Sequence, residues 1–332
     1  MNKVLKMGII GYGWVARDYM YPAMQNNERV NLVAVCSKNA SEMENLPETV
    51  KKHTEMADFL KNKKLDAVYI ATPNHLHKKH TIASIAAGMH VLCEKPLATT
   101  LNDAEEMINS ALAAKTSYAT AYDQRFHPAH EQMRQFVQQG KLGTVTQVKI
   151  DYACWLPKDW CTANWRIELE KAGGGAIIDL APHGLDLLET LLQDKIVEIQ
   201  VFTQSRVQDY AVDDGGILML RFESGVLGSI HVGYNRPDAL PRRTLEIFGT
   251  AGMLRATNTM GQDPGGNLIF IDSENGNGEL IDFDTQKSPF EAQLEGFASS
   301  ILDKKTPLRA PEDDLRLFSL LFNALKKENQ WH

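Results

Sequence analysis

The first third of the chain alternates short apolar runs with segments of helical spacing, and this alternation constrains the fold more than any other feature. The apolar runs, which we predict to be buried strands, cover residues 7–10, 31–36, 67–71, 89–93 and 117–122. Helical spacing covers residues 14–24, 76–87 and 101–114. Alternation of this kind is typical of βαβ units, which build a parallel sheet with helices on both faces.

Beyond about residue 125 the pattern changes to successive strands separated by turn residues, which favours an open, mostly antiparallel sheet. We predict strands over 146–152, 196–204, 216–222, 227–234 and 244–248, and helices over 176–192 and 313–327. The glycine-rich region 261–278 is typical of hairpin loops or of local disorder. Since 332 residues are many for one domain, we expect an α/β protein with two domains, residues 1–123 and 124–332.

A glycine-rich turn, Gly11-Tyr12-Gly13-Trp14-Val15-Ala16, lies between the first predicted strand and the first predicted helix. Glycines let the backbone turn sharply and approach a pyrophosphate, and the helix N-terminus offers N–H groups to it. A strand before and a helix after are the context that a dinucleotide-binding turn requires. We therefore predict that residues 11–15 bind a dinucleotide, with a purely structural turn as the alternative.

The end of the second predicted strand indicates which nicotinamide is bound. An NAD enzyme usually has an acid there, against the ribose 2′-hydroxyl. This chain has Ser37 and Lys38, and a hydroxyl and an ammonium favour a 2′-phosphate. We predict NADP(H), with NAD(H) possible if Lys38 is a solvated loop residue.

A lysine follows the predicted strand 89–93, in the sequence Glu94-Lys95-Pro96. Ligands of open parallel sheets bind beyond the carboxyl ends of the strands. The ammonium of Lys95 would hydrogen-bond a substrate oxygen and stabilise alkoxide character, with Glu94 and Pro96 holding it in place. Taken alone, such a lysine is more often a surface residue.

Asp179 and His183 are four residues apart in a predicted helix, so their side chains share one face. An imidazole titrates near neutral pH and suits proton exchange with a hydroxyl, while Asp179 would fix its tautomer or contact the substrate. Pro182 would kink the helix. The preceding glycines 173–175 allow close approach of a cofactor or substrate. The alternative is a capping or core pair.

The spacing His75-x-His77-x-x-His80 is plausible for a metal site, but no carboxylate or cysteine partner is nearby in the sequence, so we predict no metal. These histidines follow the turn Thr72-Pro73-Asn74. We expect this turn, His77, Glu94 and Lys95 to lie against the cofactor. Downstream, Trp155, Trp160 and Trp165 with Arg166 would form a wall for the C–H face of a sugar, or else be buried or interfacial.

Composition excludes several partners. The net charge of −7 argues against binding to nucleic acid or anionic membranes, which require a basic field. No stretch approaches the ~20 apolar residues of a membrane helix, and the N-terminus leaves no room for a signal peptide. Cys36, Cys93, Cys154 and Cys161 form no C-x-x-C pair, so we expect a reduced, cytoplasmic protein.

Together these motifs resemble the glucose-fructose oxidoreductase / inositol dehydrogenase / rhizopine catabolism family (Gfo/Idh/MocA) nearly end to end. The matching motifs, in the family's order, are Gly11-x-Gly13-x-x-Ala16, Thr72-Pro73-Asn74-x-x-His77, Glu94-Lys95-Pro96, Arg125-Phe126-x-Pro128, Trp165-Arg166, Gly173-Gly174-Gly175-x-x-x-Asp179-x-x-x-His183 and Gly249-Thr250-x-Gly252. Leu156-Pro157 and Trp165-Arg166-x-Glu168 are similar to the branch of 1,5-anhydrofructose reductases, which use NADPH.

The resemblance implies a Rossmann domain followed by an α/β domain whose open sheet often makes oligomer contacts, hence a homodimer or homotetramer. It implies a sugar, polyol or keto-sugar substrate and a catalytic trio of Lys95, Asp179 and His183. Substrate contacts are expected from Arg125, Trp155, Trp165, Arg166, Asp179 and His183. An NAD-dependent glycoside hydrolase with retained cofactor and a non-catalytic dinucleotide sensor remain as alternatives.

Overall fold

A computed structural model of the chain describes residues 3–160, 164–305 and 309–328. Its contacts divide the chain into two compact units, Met1–Tyr122 with Phe290–Arg316 and Asp123–Pro289 with Leu317–His332. The contacts thus add Phe290–Arg316, from the C-terminal part of the chain, to the first unit. The roles predicted for the two domains stay predictions.

The first unit contains a six-stranded sheet in which every pair of neighbouring strands is parallel. Its strands are β1 (Leu5–Ile10), β2 (Val30–Cys36), β3 (Lys51–His53), β4 (Ala67–Ile70), β5 (His90–Glu94) and β6 (Tyr118–Ala121). They lie in the order β3-β2-β1-β4-β5-β6, which is the strand order of doubly wound dinucleotide-binding domains. The predicted parallel sheet is therefore confirmed.

The second unit contains an eight-stranded sheet. Its strands are β7 (Val145–Ala153), β8 (Ile196–Gln204), β9 (Gly215–Phe222), β10 (Leu227–Gly233), β11 (Arg243–Gly249), β12 (Gly252–Thr257), β13 (Asn267–Asp272) and β14 (Gly278–Leu280). Their order is β14-β13-β12-β11-β7-β10-β9-β8, and all neighbours are antiparallel except β7 and β10. The predicted mostly antiparallel sheet is confirmed.

Helices connect and cover these sheets. In chain order they are α1 (Tyr21–Gln25), α2 (Met56–Leu60), α3 (His77–Ala86), α4 (Leu101–Ala113), α5 (Pro128–Gln138), α6 (Leu169–Ala172), α7 (Ala176–Leu192), α8 (Pro289–Leu302) and α9 (Pro311–Glu328). A π-helical segment, Ala16–Met20, leads into α1. Among the described residues, none of these helices has both the length and the hydropathy needed to cross a membrane.

The second sheet is apolar on one face because side chains alternate along each strand. In β9, Leu218 and Leu220 are buried against α7, whereas Ile217 and Met219 point away and are about two-fifths exposed. Since α7 packs on the buried face, this sheet positions the helix that carries Asp179 and His183.

Several sequence predictions were incomplete. The region 261–278, predicted as hairpin loops, contains β13, whose Leu268 is fully buried in the core. The helices α5 and α8 were missed, although both pack on hydrophobic cores. The predicted helix 176–192 is confirmed, and Pro182 lies inside it without ending it.

Candidate functional site

The predicted cofactor residues of the first unit follow neighbouring strands. Ser37 follows β2, Gly11 follows β1, Thr72 lies just beyond β4, and Lys95 follows β5. These four strands are adjacent and parallel, so their carboxyl ends meet at one edge of the sheet. That edge is where open α/β sheets bind ligands.

Gly11 and Gly13 give the turn after β1 a shape that admits a phosphate. Gly11 has φ +86°, and a Cβ there would lie 2.7 Å from the carbonyl oxygen of Ala71. A Cβ on Gly13 would meet nothing within 4 Å, so the space beside Gly13 is open. The first helical hydrogen bond runs from Arg17 N–H to Gly13 O, 2.9 Å, which places the helix N-terminus at this turn. The residues fit a dinucleotide pyrophosphate.

The aromatic side chains of this turn do not share that open space. Tyr12 is buried, its ring packs edge-on against Tyr21, and burial raises its pKa to about 12. The Trp14 ring packs edge-on against Tyr19 at 5.8 Å. The side chain of Tyr12 thus packs within the first unit, and its contact with the cofactor stays a prediction.

The end of β2 carries a carboxylate that the sequence prediction did not consider. Ser37 is buried, and its hydroxyl donates to Glu42 Oε2 at 2.7 Å. Lys38 beside it is exposed. A carboxylate, Glu42, and an ammonium, Lys38, therefore lie near the strand end where the cofactor ribose is expected.

His77 holds two turns of this sheet edge together. It is fully buried, and its ring nitrogens lie 2.9 Å from the carbonyl oxygens of Pro96 and Thr72. Burial lowers the pKa of His77 to about 4, against the opposing effect of the two carbonyls. Because both nitrogens face backbone oxygens, His77 has a structural role beside Lys95, and its place near the cofactor stays a prediction.

A buried tyrosine holds the side chain of Glu94, the residue before Lys95. The hydroxyl of Tyr69, a fully buried residue of β4, donates to Glu94 Oε1 at 2.6 Å. Lys95 itself is half-buried and directly follows β5. Tyr69 and His77 thus brace the Glu94-Lys95-Pro96 turn on either side of the lysine.

In the second unit, α7 begins at Gly175 and is capped by a distant residue. The carboxylate of Asp213 accepts hydrogen bonds from the N–H groups of Gly175 and Ile177, both at 2.9 Å. A Cβ on Gly175 would overlap the Asp213 backbone carbonyl. The close approach of the Asp213 backbone therefore requires a glycine at position 175, and the approach of a cofactor or substrate to these glycines stays a prediction.

Asp179 projects from the first turn of α7 into a polar group. Its Oδ2 accepts a 2.6 Å hydrogen bond from the buried hydroxyl of Tyr234 and lies 3.9 Å from Nε of Arg166. Burial, with the charge of Asp179, raises the pKa of Tyr234 well above its usual value, so this donor stays protonated. The guanidinium of Arg166 stacks over the rings of Trp165 and Trp160, at 4.5 and 5.4 Å.

His183 lies one turn further along α7 and is buried. Its Nδ1 lies 3.3 Å from Oδ1 of Asp123, which is also buried. The other oxygen of Asp123 accepts from Gln124 Nε2 at 3.0 Å, and Gln124 also donates to Gly261 O at 2.7 Å. Tyr152 of β7 packs edge-on against the imidazole at 6.0 Å.

Arg125 was expected to contact substrate, but its guanidinium is bound within the protein. It forms a two-point ion pair with Asp186, which is fully buried in α7. The pair ties the turn Asp123–Phe126 to the helix three residues beyond His183. Arg125 therefore helps to hold α7, and its contact with substrate stays a prediction.

Of the other predicted substrate residues, Trp155 and Trp160 are 39% and 41% exposed, which a ligand wall requires. The segment Cys161-Thr162-Ala163 next to them lies outside the described residues. Within the described ranges no group of three His, Cys, Asp or Glu side chains could hold a metal ion.

Sequence reasoning missed Asp123, Tyr234 and Asp213. Asp123 directly precedes the Gln124-Arg125-Phe126 run, so its place beside a recognised motif was a usable signal. Tyr234 and Asp213 lie 55 and 34 residues from Asp179 in the sequence, and no local pattern links them to it.

Two family models match this chain. Residues 5–122 match the oxidoreductase family with an NAD-binding Rossmann fold, and residues 130–255 match the GFO/IDH/MocA C-terminal domain.

Individual relatives span nearly the whole chain. A 1,5-anhydro-D-fructose reductase from Ensifer adhaerens is 31% identical over 298 residues, which cover 88% of each chain. An aldose-aldose oxidoreductase from Caulobacter crescentus, solved with glycerol, has a TM-score of 0.88 at 24% identity over 99% of both chains. A levoglucosan dehydrogenase, solved with NADH and levoglucosan, has a TM-score of 0.87 at 20% identity over 99% of this chain and 98% of that one.

Proposed function

The chain belongs to the Gfo/Idh/MocA family of NAD(P)-dependent oxidoreductases, and on that premise we propose that it transfers a hydride between NADP(H) and a carbon of a sugar, polyol or keto-sugar. The observation that carries the proposal is the helix α7, which presents Asp179 and His183 with a defined set of polar partners. The strand-end Lys95 and the open glycine turn supply the remaining parts.

Each residue has a role that follows from its chemistry. The nicotinamide, when bound, gives or accepts the hydride. Lys95 donates a hydrogen bond to the reacting oxygen and stabilises negative charge on it. His183 takes the hydroxyl proton during oxidation and returns it during reduction. Asp179 contacts the substrate and completes the polar group around the reacting carbon.

The relatives named above are a reductase, an oxidoreductase and a dehydrogenase, so they support redox catalysis. They give no support to a glycoside hydrolase with retained cofactor or to a non-catalytic sensor. Both alternatives predict that added cofactor is not consumed in proportion to substrate.

A panel of sugars and polyols, assayed with NAD(H) and NADP(H) in parallel, tests the proposal. We expect at least one substrate to change the absorbance of the reduced cofactor in proportion to product. Lys95→Ala and His183→Ala should each lower kcat by about 10²–10⁴ while the protein still folds and binds cofactor. If the residues act in one step, the double variant should lose much less than the product of the two effects. Near-normal kcat in either single variant would return that residue to a structural role.

We infer a preference for NADP(H) from Lys38, an exposed cation at the end of β2. Glu42 stands nearby, but its Oε2 already accepts the hydroxyl of Ser37. A hydrogen bond to a charged group contributes about 1.5–3 kcal/mol, so Lys38→Ala should weaken NADPH binding at least tenfold and leave NADH unchanged. Glu42→Gln is the matched variant, and it should not weaken NADPH. Tighter binding of NADH than NADPH by the wild type would overturn the assignment.

The substrate wall in this proposal is formed by Trp155, Trp160 and Trp165 with Arg166. Indole faces stack on the C–H faces of sugars, and the two exposed tryptophans have surface available for this. Trp155→Ala should raise the KM for the sugar without changing the Kd of the cofactor.

Free thiols at Cys36, Cys93 and Cys154 suit the reducing cytoplasm, which we propose as the location.

We propose a homodimer or homotetramer formed through the open face of the second sheet. Phe202, Ile217, Met219 and Leu227 lie on neighbouring strands of that face and are 40–55% exposed. Apolar patches of this kind are usually covered in solution. Light scattering should give a mass of two or four chains, and Met219→Lys should lower it.

A further inference from the structure

We propose that Asp123 is the positioning residue of His183: its carboxylate holds the Nδ1 proton, so that Nε2 is the nitrogen that exchanges a proton with the substrate hydroxyl. This inference rests on the proposed function for its kinetic consequence, but its structural part stands alone. From the spacing of four residues, the sequence suggested that Asp179 fixes the tautomer of His183. The proposal gives this role to Asp123.

The geometry of the pair supports this assignment. Nδ1 of His183 and Oδ1 of Asp123 are 3.3 Å apart, which is ion-pair distance although the angle lies outside that of a hydrogen bond, and both residues are buried. A buried carboxylate needs donors for its oxygens. Gln124 supplies one to the second oxygen of Asp123, and the Nδ1–H of His183 suits the first.

The two residues that follow Asp123 fix its position. Gln124 Nε2 is held by the carbonyl of Gly261, and Arg125, two residues on, is paired with Asp186. Asp123 and Arg125 therefore attach the same short turn to two positions of α7, residues 183 and 186. A carboxylate held this firmly restricts the orientation of the imidazole, as orienting partners of histidine do at metal and catalytic sites.

The other groups around His183 have different partners. Tyr152 of β7 presents its ring edge to the imidazole, and the guanidinium of Arg243 lies 5.9 Å from that ring. Burial raises the pKa of Tyr152 far above its usual value, so it carries no charge near neutral pH. On α7 itself, Asp179 accepts from Tyr234 and Asp186 is paired with Arg125.

The proton balance follows directly. During oxidation the O–H bond of the substrate hydroxyl breaks and an Nε2–H bond forms. The carbon that bears this hydroxyl loses a hydride to the nicotinamide and becomes a carbonyl carbon. The imidazole then carries a positive charge, which the carboxylate of Asp123 stabilises at 3.3 Å. During reduction the same proton returns to the new alkoxide.

The chain offers a matched control for removing Asp123. Asp151 of β7 and His231 of β10 form a second carboxylate–imidazole pair, in which Nδ1 of His231 is 3.2 Å from Oδ1 of Asp151. This pair lies on the face of the eight-stranded sheet that points away from α7. Asp123→Asn and Asp151→Asn therefore make the same chemical change at two carboxylate–imidazole pairs in one unit, and Asp151→Asn in addition removes the acceptor of Arg236 Nη1 at 2.5 Å.

The first measurement needs no substrate. In protein labelled with ¹⁵N-histidine, NMR reports the tautomer and pKa of each imidazole, and loss of a signal in His183→Gln assigns it. We expect the wild-type His183 to carry its proton on Nδ1 when neutral. Asp123→Asn should lower the pKa of His183 by about one unit or more, because it removes an opposite charge, whereas Asp151→Asn should leave it unchanged. An Nε2–H tautomer in the wild type would overturn the proposal even if Asp123→Asn failed to fold.

The second measurement is kinetic. Asp123→Asn should lower kcat at least about tenfold with little change in the Kd of the cofactor, and the acid limb of the oxidation profile should move to lower pH. Asp151→Asn should retain the wild-type profile. If the wild type turns over no sugar or polyol, the proposed function fails and the NMR result still decides the pairing. If it does turn over and Asp123→Asn matches it in kcat and pH profile, only the inference about Asp123 fails.

Discussion

Replacing Tyr234 by Phe removes one oxygen atom next to Asp179. Tyr234 is 1% exposed, and its hydroxyl donates to Asp179 Oδ2 at 2.6 Å. The phenyl ring keeps the volume of the site, so the change is confined to the hydrogen bond. A hydrogen bond to a charged acceptor contributes about 1.5–3 kcal/mol, and Arg166 at 3.9 Å is too distant from Asp179 Oδ2 to replace it.

If Asp179 acts in the reaction, part of that energy appears in kcat. We expect a fall of about tenfold to a hundredfold, since each 1.36 kcal/mol is a factor of ten. Losing a donor also raises the pKa of Asp179, so the carboxylate would be lost at a higher pH and activity would fall earlier on acidification. Cofactor affinity should not change, because the predicted cofactor residues are in the first unit.

Tyr210→Phe is the matched control. Its ring lies 6.4 Å from that of Tyr234, yet its hydroxyl is buried and makes no hydrogen bond to any residue within the described ranges. The assay is kcat and KM across pH for both variants, with urea unfolding to compare stability. If Tyr234→Phe keeps the kcat and pH profile of Tyr210→Phe, the hydrogen bond to Asp179 has no part in turnover and the reasoning is wrong.

Further predictions concern the stability of the two units. Asp213→Ala should lower the free energy of unfolding by about 1–2 kcal/mol, measured in urea, because the capped N–H groups of α7 lose their acceptor. Burial lowers the pKa of His77 to about 4 and that of His130 to about 3. Acidification from pH 7.5 to 5 should therefore lower the free energy of unfolding by about 2 kcal/mol for each of these histidines. The unfolded chain binds a proton at each of these histidines near pH 6.5, and the folded chain does not. The contribution of the two histidines to the free energy of unfolding is therefore present above pH 6.5 and is lost as the pH falls below it. A His130→Gln variant should show a shallower slope, and a slope equal to that of the wild type would contradict the assignment.

The parallel sheet of the first unit was predictable because its buried strands are continuous apolar runs with helical spacing between them. The strand β3, Lys51–His53, was not, since its residues are polar and it lies at the sheet edge beside β2. In the second unit, β13 was hidden by the glycines and asparagines on either side of it. Its pairing with β12 on one side and with β14 on the other makes this segment a strand.

The residues of the candidate site were predictable where a motif marks a strand end or one helix face, as for Lys95, Asp179 and His183. Their partners were not. Tyr234 and Asp123 reach Asp179 and His183 through the packing of β10 and the turn Asp123–Phe126 on α7, a tertiary arrangement with no local sequence pattern. Asp179 and His183 share a helix face as predicted, but the printed sequence could not show which carboxylate meets Nδ1.

The central claim is that a hydride passes directly between the cofactor and a sugar or polyol carbon. Reduction of a keto-sugar with NADPH deuterated at the transferring position of the nicotinamide, followed by mass spectrometry of the product, tests it most directly. We predict one deuterium on the new carbinol carbon for each NADPH consumed, and loss of this transfer in His183→Ala. A product without deuterium, or turnover without net consumption of NADPH, would contradict the account.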